Sequence, residues 1–318
     1  MISLADGIKH LYLPKINEVG QTIPFGLNTW LSNGSDYFVP RNQLNHDFAI
    51  STYDYFDFLK PYSYDINRLS CASLESLRDI ERKKWQAKFI GWNITKFYYS
   101  AFFSAHCILK LTGNSLSNIE QTSINKVKVI TTSYGFTYGN LNTGQYCISI
   151  NSASSNYRFY KNPLYDNSHE GLWKCFLDFL TNSINSIYGQ LPLVEAQLVV
   201  DKLNELIDAL RNWNSQSGNW LSRVRNLVNY SQSYGVWFPY KTYSVEYDRV
   251  YSFLNLHLDN PLTIDLKSYI GKDLLYFVRT CQLINAIAND LLTDLESKHP
   301  NNKSFIKAGK TKFQNLYV

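Results

Sequence analysis

One stretch of the sequence, residues 92–113, restricts the possible folds more than any other. It reads WNITKFYYSAFFSAHCILKLTG and contains a long apolar run. Its apolar side chains recur at helical spacing and form a stripe that consists of Ile94, Phe97, Ala101, Ala105 and Ile108. Small residues between Ser100 and Ala105 allow a second helix to approach closely. The pattern therefore predicts a helix that is buried on most sides and packed among other helices.

Periodicity and turn residues divide the chain into segments. These are an irregular N-terminal leader (1–72), the first helix pair of a bundle (73–113), a β-rich insertion (114–165), the remaining bundle helices (166–298) and a basic C-terminal tail (299–318). The helix pair is expected to have a joint near Gly91 and a C-cap at Gly113. The sequence thus predicts a mainly α fold, a helical bundle with a small β-containing insertion.

Individual elements can also be predicted within these segments. In the insertion, the β-branched and aromatic runs KVKVITT, QYCISINS and YRFY predict short strands. Downstream, helices are predicted at 170–189, 191–213, 244–258 and 263–298, and a further helix within 218–239 is expected to end near Tyr234 and Gly235. Pro192 stands at the start of one of them, a favoured position for proline. The leader contains one short predicted helix near DYFDFLKPY.

Composition limits the classes of function. A net charge of +5 over 318 residues is compatible with phosphate-bearing partners but is far from that of a nucleic-acid coat. The 5 cysteines are scattered and never spaced as CxxC, so neither a disulfide framework nor a zinc site is predicted. We find no secretion signal and no apolar run long enough to span a membrane, and we expect a soluble, cytoplasmic protein. We expect no cofactor and no metal, because the sequence has no Gly-rich phosphate loop, HExxH or nucleophile elbow.

A second stretch, LSRVRNLVNY at 221–230, places several polar residues in a helical pattern. On a helical wheel the core arc is formed by Trp220, Leu221, Val224, Leu227 and Val228. Arg225 and Asn229 lie on the polar side, and Arg223 and Tyr230 lie on the other flank. Two interpretations stay open: the polar residues make structural hydrogen bonds between helices, or they form a functional site.

Together, the two stretches resemble the HEPN superfamily (higher eukaryotes and prokaryotes nucleotide-binding domains). The family's second helix reads as two tyrosines, small residues, phenylalanine, more small residues, leucine and glycine. The matching residues here are Tyr98, Tyr99, Ala101, Phe102 or Phe103, Ala105, Leu109 and Gly113. RNLVNY at 225–230 is similar to the family's Arg-x-x-Ala-Asp-Tyr stretch, with Val228 and Asn229 in place of Ala and Asp. The resemblance covers 74–113 and 216–298.

The resemblance implies a homodimeric helical bundle that cleaves RNA without a metal, as in toxin–antitoxin and antiphage systems. The family's signature is an Arg followed by four to six residues and a His. The RNA 2′-hydroxyl attacks the adjacent phosphate, His transfers a proton, and Arg stabilises the developing charge. Arg225 and Asn226 match the opening of this signature, but Tyr230 occupies the place of the His. A tyrosine with a pKa of about 10 transfers protons poorly at neutral pH.

Other residues are candidates for a complete site. His106 would provide the missing base if it faces Arg225, although a buried structural role is the alternative. Lys96 is a candidate phosphate contact, and further nucleic-acid contacts are predicted at Arg223, Lys84 and Lys88. The alternative for the basic segment that contains Lys84 and Lys88 is a helix face that is merely exposed to solvent.

The leader contains a second match to the signature. RNQLNH, from Arg41 to His46, has the form Arg-Asn-x-x-x-His. It precedes the helices that resemble the family, whereas the family's signature lies in a later helix. A pair at this spacing is also expected by chance, so the motif is either a displaced signature or a coincidence.

Two functions follow from the sequence. The first is a HEPN-like protein that acts on RNA, such as a metal-independent endoribonuclease effector of a bacterial toxin–antitoxin or antiphage system. Its catalytic residues would be Arg225, Asn226, Asn229, Tyr230 and His106. The alternative is a non-catalytic HEPN-like sensor or partner-binding subunit, in which the Arg and Asn network of 221–230 is structural and the insertion at 114–165 supplies the surface that recognises a cognate protein. The expected partners are RNA, a second copy of the chain and such a protein, but no membrane.

Overall fold

The structure, a computed structural model, describes residues 2–20, 23–43, 46–83, 90–239 and 247–315. The α-helices are α1 (Leu4–Ile8), α2 (Leu27–Asn33), α3 (Tyr55–Lys83), α4 (Ile90–Leu111), α5 (Gln121–Ser133), α6 (Ser168–Ile187), α7 (Leu193–Leu210), α8 (Trp220–Asn229), α9 (Tyr247–Ser252), α10 (Asp273–Ser297) and α11 (Lys312–Asn315). The strands are β1 (Phe48–Ser51), β2 (Leu116–Ile119), β3 (Gly144–Asn151) and β4 (Asn156–Tyr160). The predicted class, mainly α with a small β component, is confirmed.

The chain divides into two compact units. Unit 1 consists of Met1–His10, Leu69–Ile108 and Phe176–Asp294. Unit 2 consists of Leu11–Arg68, Leu109–Cys175 and Leu295–Val318. The candidate residues on α4 and α8 belong to unit 1, whereas Arg41 and His46 belong to unit 2.

In unit 1, the predicted stripe on α4 is confirmed, since all of its members are fully buried. The small residues of α4 face α3, as the hydroxyl groups of three serines show. Ser73 Oγ on α3 lies 3.0 Å from Ser100 Oγ and 2.9 Å from Ser104 Oγ on α4. Across the described ranges, no helix combines the length and apolar character that crossing a membrane requires.

Helix α8 is anchored in unit 1 by its first residue. Trp220 is fully buried, and its ring centroid lies 5.2 Å from that of Tyr276 and 6.2 Å from that of Phe277, both on α10. Helix α7 packs against α8 as well. Because a large aromatic ring fixes its start, α8 presents the rest of its residues to unit 1 in a defined orientation.

Unit 2 contains the sheet, which has the strand order β1-β4-β3-β2 with all neighbours antiparallel. The strands predicted from QYCISINS and YRFY are confirmed as β3 and β4. In contrast to the prediction, the edge strand β1 comes from the leader. Phe48 of β1 is paired with Phe159 of β4, and their rings stack with centroids 4.4 Å apart. Aromatic pairs across neighbouring strands stabilise this register.

The strand predicted from KVKVITT is wrong, because these residues form part of α5. Ile124, Val127 and Thr131 are buried at helical spacing, and this face of α5 packs against α2. β-Branched residues favour strands only weakly, and packing of an apolar helical face overrides that preference here.

Several boundaries also differ from those predicted. The leader is not irregular, since it contains α1, α2, β1 and the start of α3, and residue 72 lies inside α3. Helix α8 ends at Asn229 and not near Tyr234. Helix α10 begins at Asp273 instead of residue 263, because short 3₁₀ turns and Gly271, with φ of 81°, precede it. The predicted C-cap is confirmed: Gly113 has φ of 73° directly after α4.

Candidate functional site

Helix α8 brings Arg225 into the interior of unit 1. Trp220, Val224 and Val228 are buried on the same helix, and Arg225 itself is only 5% exposed. The guanidinium keeps its positive charge at any ordinary pH. Unit 1 therefore holds a permanently charged group that is largely shielded from bulk water.

Two tyrosine rings of α4 hold this guanidinium. Its central carbon Cζ lies 5.0 Å from the centroid of the Tyr98 ring and 5.9 Å from that of Tyr99. Tyr98 is fully buried, whereas Tyr99 is partly exposed. Desolvated cation–π contacts contribute about 2 kcal/mol. Removing a charge from water costs several kcal/mol, so the rings compensate only part of this cost.

Within the described ranges, no carboxylate forms an ion pair with Arg225, and its Nε–H is buried without a hydrogen-bond acceptor. Buried charges in proteins are normally paired, and buried polar groups are normally hydrogen-bonded. Outside those ranges, Glu246 carries the only side-chain carboxylate. The described residues thus leave the positive charge of the guanidinium without a compensating negative charge.

Asn229 connects α8 to α4 one turn beyond Arg225. The hydroxyl of Thr95 on α4 lies 2.6 Å from Asn229 Oδ1 and 3.0 Å from the carbonyl oxygen of Gly91. A hydrogen bond between two helices fixes their relative rotation, and the tyrosines follow Thr95 on the next turn of α4. The contact therefore helps to hold Tyr98 and Tyr99 against the guanidinium.

The other predicted residues of α8 lie apart from the guanidinium. Asn226 is exposed, and Tyr230, which occupies the place of the family's His, is 77% exposed. Arg223 is also exposed: its Nη1 donates to the carbonyl oxygen of Trp213 at 3.3 Å, and its Cζ lies 5.7 Å from the Trp213 ring. Of the predicted site residues on α8, the structure brings only Arg225 and Asn229 to α4.

His106 does not hydrogen-bond to Arg225. It lies two turns beyond Tyr99 on α4, which is about 10 Å along the helix axis. Its ring packs edge-on against Phe102, with centroids 4.9 Å apart. Lys96, also on α4, forms an ion pair with Asp79 of α3. Two further predicted phosphate contacts, Lys84 and Lys88, lie outside the described residues.

The Arg and the His of the RNQLNH motif, Arg41 and His46, line two different clefts of unit 2. His46 lines a cleft of about 580 Å³, and its Nδ1 lies 2.8 Å from the carbonyl oxygen of Asn140. Arg41 lines a neighbouring cleft of about 170 Å³. The two clefts share Asp47 and Arg158, which pair at 2.7 Å. The Arg and the His of this motif therefore open onto different clefts.

Sequence reasoning missed two features of the Arg225 site. The helical wheel placed Arg225 on the polar side of α8, whereas the structure buries it. Thr95 was not singled out, although it lies one turn before Tyr98 and Tyr99 on the same helix. The consecutive tyrosines were noted only through the family resemblance. The position of Thr95 one turn before the consecutive tyrosines was the signal that could have identified it.

No metal-binding group was found in the part of the chain that the structure describes: no three His, Cys, Asp or Glu side chains there lie close enough together to hold an ion. No family model, curated protein or solved structure matches this chain. The function is therefore inferred from the geometry of the Arg225 site and from the resemblance of its two helices.

Proposed function

We propose that unit 1 binds a phosphate group of RNA at Arg225 and that the chain acts on RNA as a HEPN-like protein. One observation carries the proposal: a guanidinium that is 5% exposed has no carboxylate partner among the described residues. A guanidinium binds phosphate through short, charge-assisted hydrogen bonds, often in bidentate geometry. A phosphodiester would supply the negative charge that the described residues around Arg225 do not.

RNA is the proposed source of the phosphate because α4 and α8 resemble the HEPN helices, and many members of that superfamily cleave RNA. In unit 1, the two tyrosine rings support this choice, since they shield the guanidinium from water. Electrostatic attraction between a cation and a phosphate is stronger in such a partly desolvated site than in bulk solvent. The site thus favours an anion without requiring a strongly basic surface.

Metal-independent cleavage of RNA is the first candidate activity. Attack by the 2′-hydroxyl requires a group that accepts its proton, while Arg225 stabilises the charge that develops on phosphate. Within one chain, no histidine of the described residues hydrogen-bonds to Arg225. We propose that His106 of a second copy supplies this base in a homodimer, the state that the family resemblance implies.

The second candidate is a non-catalytic module that binds RNA through the same phosphate site. It is favoured by the exposed position of Tyr230, where the family has its His, and by the distance of His106 along α4. In this case Arg225 binds phosphate, but no proton transfer follows. The two candidates share the phosphate site and differ only in the chemistry.

Ribonuclease assays on the full chain in the presence of EDTA distinguish these candidates. For an endoribonuclease, we expect His106→Ala to lower kcat by about 10²–10⁴-fold while the affinity for RNA stays unchanged. His46→Ala in unit 2 is the matched control and is expected to retain full activity. Binding without cleavage by the unaltered chain would identify the non-catalytic module. Neither binding nor cleavage, with or without a co-purifying partner, would contradict the proposal.

A further inference from the structure

Exposed aromatic side chains are concentrated at the C-terminal end of α8. Trp92 of α4 is 56% exposed, Tyr230 is 77% exposed and Phe238 is 83% exposed. We call these three residues and Trp237 the aromatic surface. A single exposed aromatic residue is common in proteins, but several close together mark a binding site.

The aromatic surface is held in place by contacts within unit 1. The rings of Trp92 and Trp237 meet edge to face, with centroids 5.4 Å apart. Trp237 also donates its Nε1–H to the carbonyl oxygen of Val228 at 2.7 Å, near the end of α8. The ring approaches α4 closely at Gly91, where a Cβ atom would lie 2.6 Å from it. Trp92 and Trp237 are therefore prearranged, which lowers the entropic cost of binding a ligand.

This surface lies next to the buried guanidinium. Trp92 precedes Thr95 by one turn of α4, and Thr95 contacts Asn229, which follows Arg225 by one turn of α8. One turn corresponds to about 5.4 Å along a helix. Trp92 thus lies on one helix of the phosphate site, and the other three aromatic residues follow the end of the second helix, which places both sites within reach of one nucleotide strand.

We propose that the aromatic surface stacks on unpaired bases of single-stranded RNA while Arg225 holds a phosphate of the same strand. This inference rests on the proposed function and specifies its substrate class. Bases in a duplex are already stacked on their neighbours, so only loops, ends and single strands can present their faces to aromatic side chains. An apolar protein partner would cover the rings but would leave the positive charge of Arg225 uncompensated, which favours RNA as the occupant.

The test compares binding of a fluorescent 12-nucleotide RNA, alone or annealed to its complement, by anisotropy on the full chain. We expect at least about tenfold tighter binding of the single strand. Trp92→Ala and Phe238→Ala should each weaken this binding by roughly 5-fold to 100-fold, the loss of one stacked base. Both variants should bind the duplex as weakly as the unaltered chain does. The salt dependence of binding should also stay unchanged, because no phosphate contact is lost.

Two variants serve as controls. Trp92→Phe keeps an aromatic face and should retain most of the affinity. Tyr134→Ala removes a comparably exposed aromatic ring, 52% exposed, from unit 2 and should bind like the unaltered chain. Melting temperatures verify that each variant is folded.

The outcomes separate this inference from the proposed function. If Trp92→Ala and Phe238→Ala bind single strands normally while Arg225→Met does not, the stacking proposal is wrong and the phosphate site stands. If the unaltered chain binds neither RNA, both proposals fail. If the two aromatic variants change the sedimentation coefficient of the free protein instead of its RNA affinity, the surface is a contact between copies and the inference is overturned.

Discussion

Arg225→Met is expected to abolish RNA binding without destabilising the protein. A phosphate held by Arg225 accepts two charge-assisted hydrogen bonds, each contributing about 1.5–3 kcal/mol. Their loss should weaken RNA binding by at least roughly 100-fold. The folded protein without RNA, in contrast, no longer buries a charge that lacks a carboxylate partner among the described residues.

Methionine fills much of the same volume without a charge, so we expect the free energy of unfolding to stay constant or to rise. Replacing buried ionic groups by apolar ones is often neutral or stabilising by roughly 1–4 kcal/mol. The lost contacts with the rings of Tyr98 and Tyr99 offset part of this gain. Urea denaturation measures the stability, and anisotropy measures the affinity. A loss of several kcal/mol in stability would show that Arg225 has a structural role instead.

Glu246→Gln is the matched control for this experiment. It removes the only side-chain carboxylate that lies outside the described residues. If Arg225 is neutralised by RNA and not by the protein, Glu246→Gln should leave both the melting temperature and the RNA affinity unchanged. A marked destabilisation that Arg225→Met relieves would instead identify the two residues as a buried ion pair.

Trp220→Ala is expected to have the largest effect on stability. The side chain is fully buried at the start of α8, and its ring packs against Tyr276 and Phe277. Truncating a buried aromatic residue to alanine costs about 3–5 kcal/mol, because contacts are lost and a cavity remains. We expect a loss of this size in the free energy of unfolding, measured by urea denaturation at 25 °C.

Trp220→Phe is the control that separates the contribution of ring packing from that of the indole Nε1–H. The Nε1–H of Trp220 is buried without an acceptor among the described residues, so phenylalanine removes an unsatisfied donor and keeps most of the ring contacts. The expected cost is less than about 1.5 kcal/mol. A similar, small effect of both substitutions would contradict the role of Trp220 as the anchor of α8.

The core of the fold was predictable from the sequence where one pattern was unambiguous. The stripe on α4 has helical spacing over several turns, and no strand register could bury the same residues. The strands β3 and β4 were predictable because turn residues separate two short aromatic and β-branched runs. These signals are local, and in these segments they agree with the packing of the rest of the chain.

Other elements depend on contacts that the sequence does not show. The short helix predicted near DYFDFLKPY is only the start of α3, which continues through Pro61 from Tyr55 to Lys83. Strand β1 forms because it pairs with β4, which is distant in sequence. The run KVKVITT has residues that favour strands, yet it becomes helical since Ile124 and Val127 pack against α2. Tertiary packing decides such cases.

The location of the candidate site on α8 was predictable from the sequence, but the burial of its guanidinium was not. The sequence directed attention to Arg225 through its place in RNLVNY. A helical wheel assigns arginine to the solvent side by residue type, and only the approach of Tyr98 and Tyr99 from α4 reveals that the guanidinium is buried. The aromatic surface was hidden for a similar reason, because Trp92 and Trp237 lie far apart in the sequence.

The central claim is that the guanidinium of Arg225 binds an RNA phosphate. The most direct measurement is an NMR titration of ¹⁵N-labelled full-length chain with a short single-stranded RNA, following the arginine Nε–H signals and assigning that of Arg225 from its absence in Arg225→Met. We predict a large, saturable shift of this signal, with the exposed Arg223 as the internal comparison and an unphosphorylated nucleoside causing no shift. RNA binding that leaves the Arg225 Nε–H signal unchanged would contradict the claim.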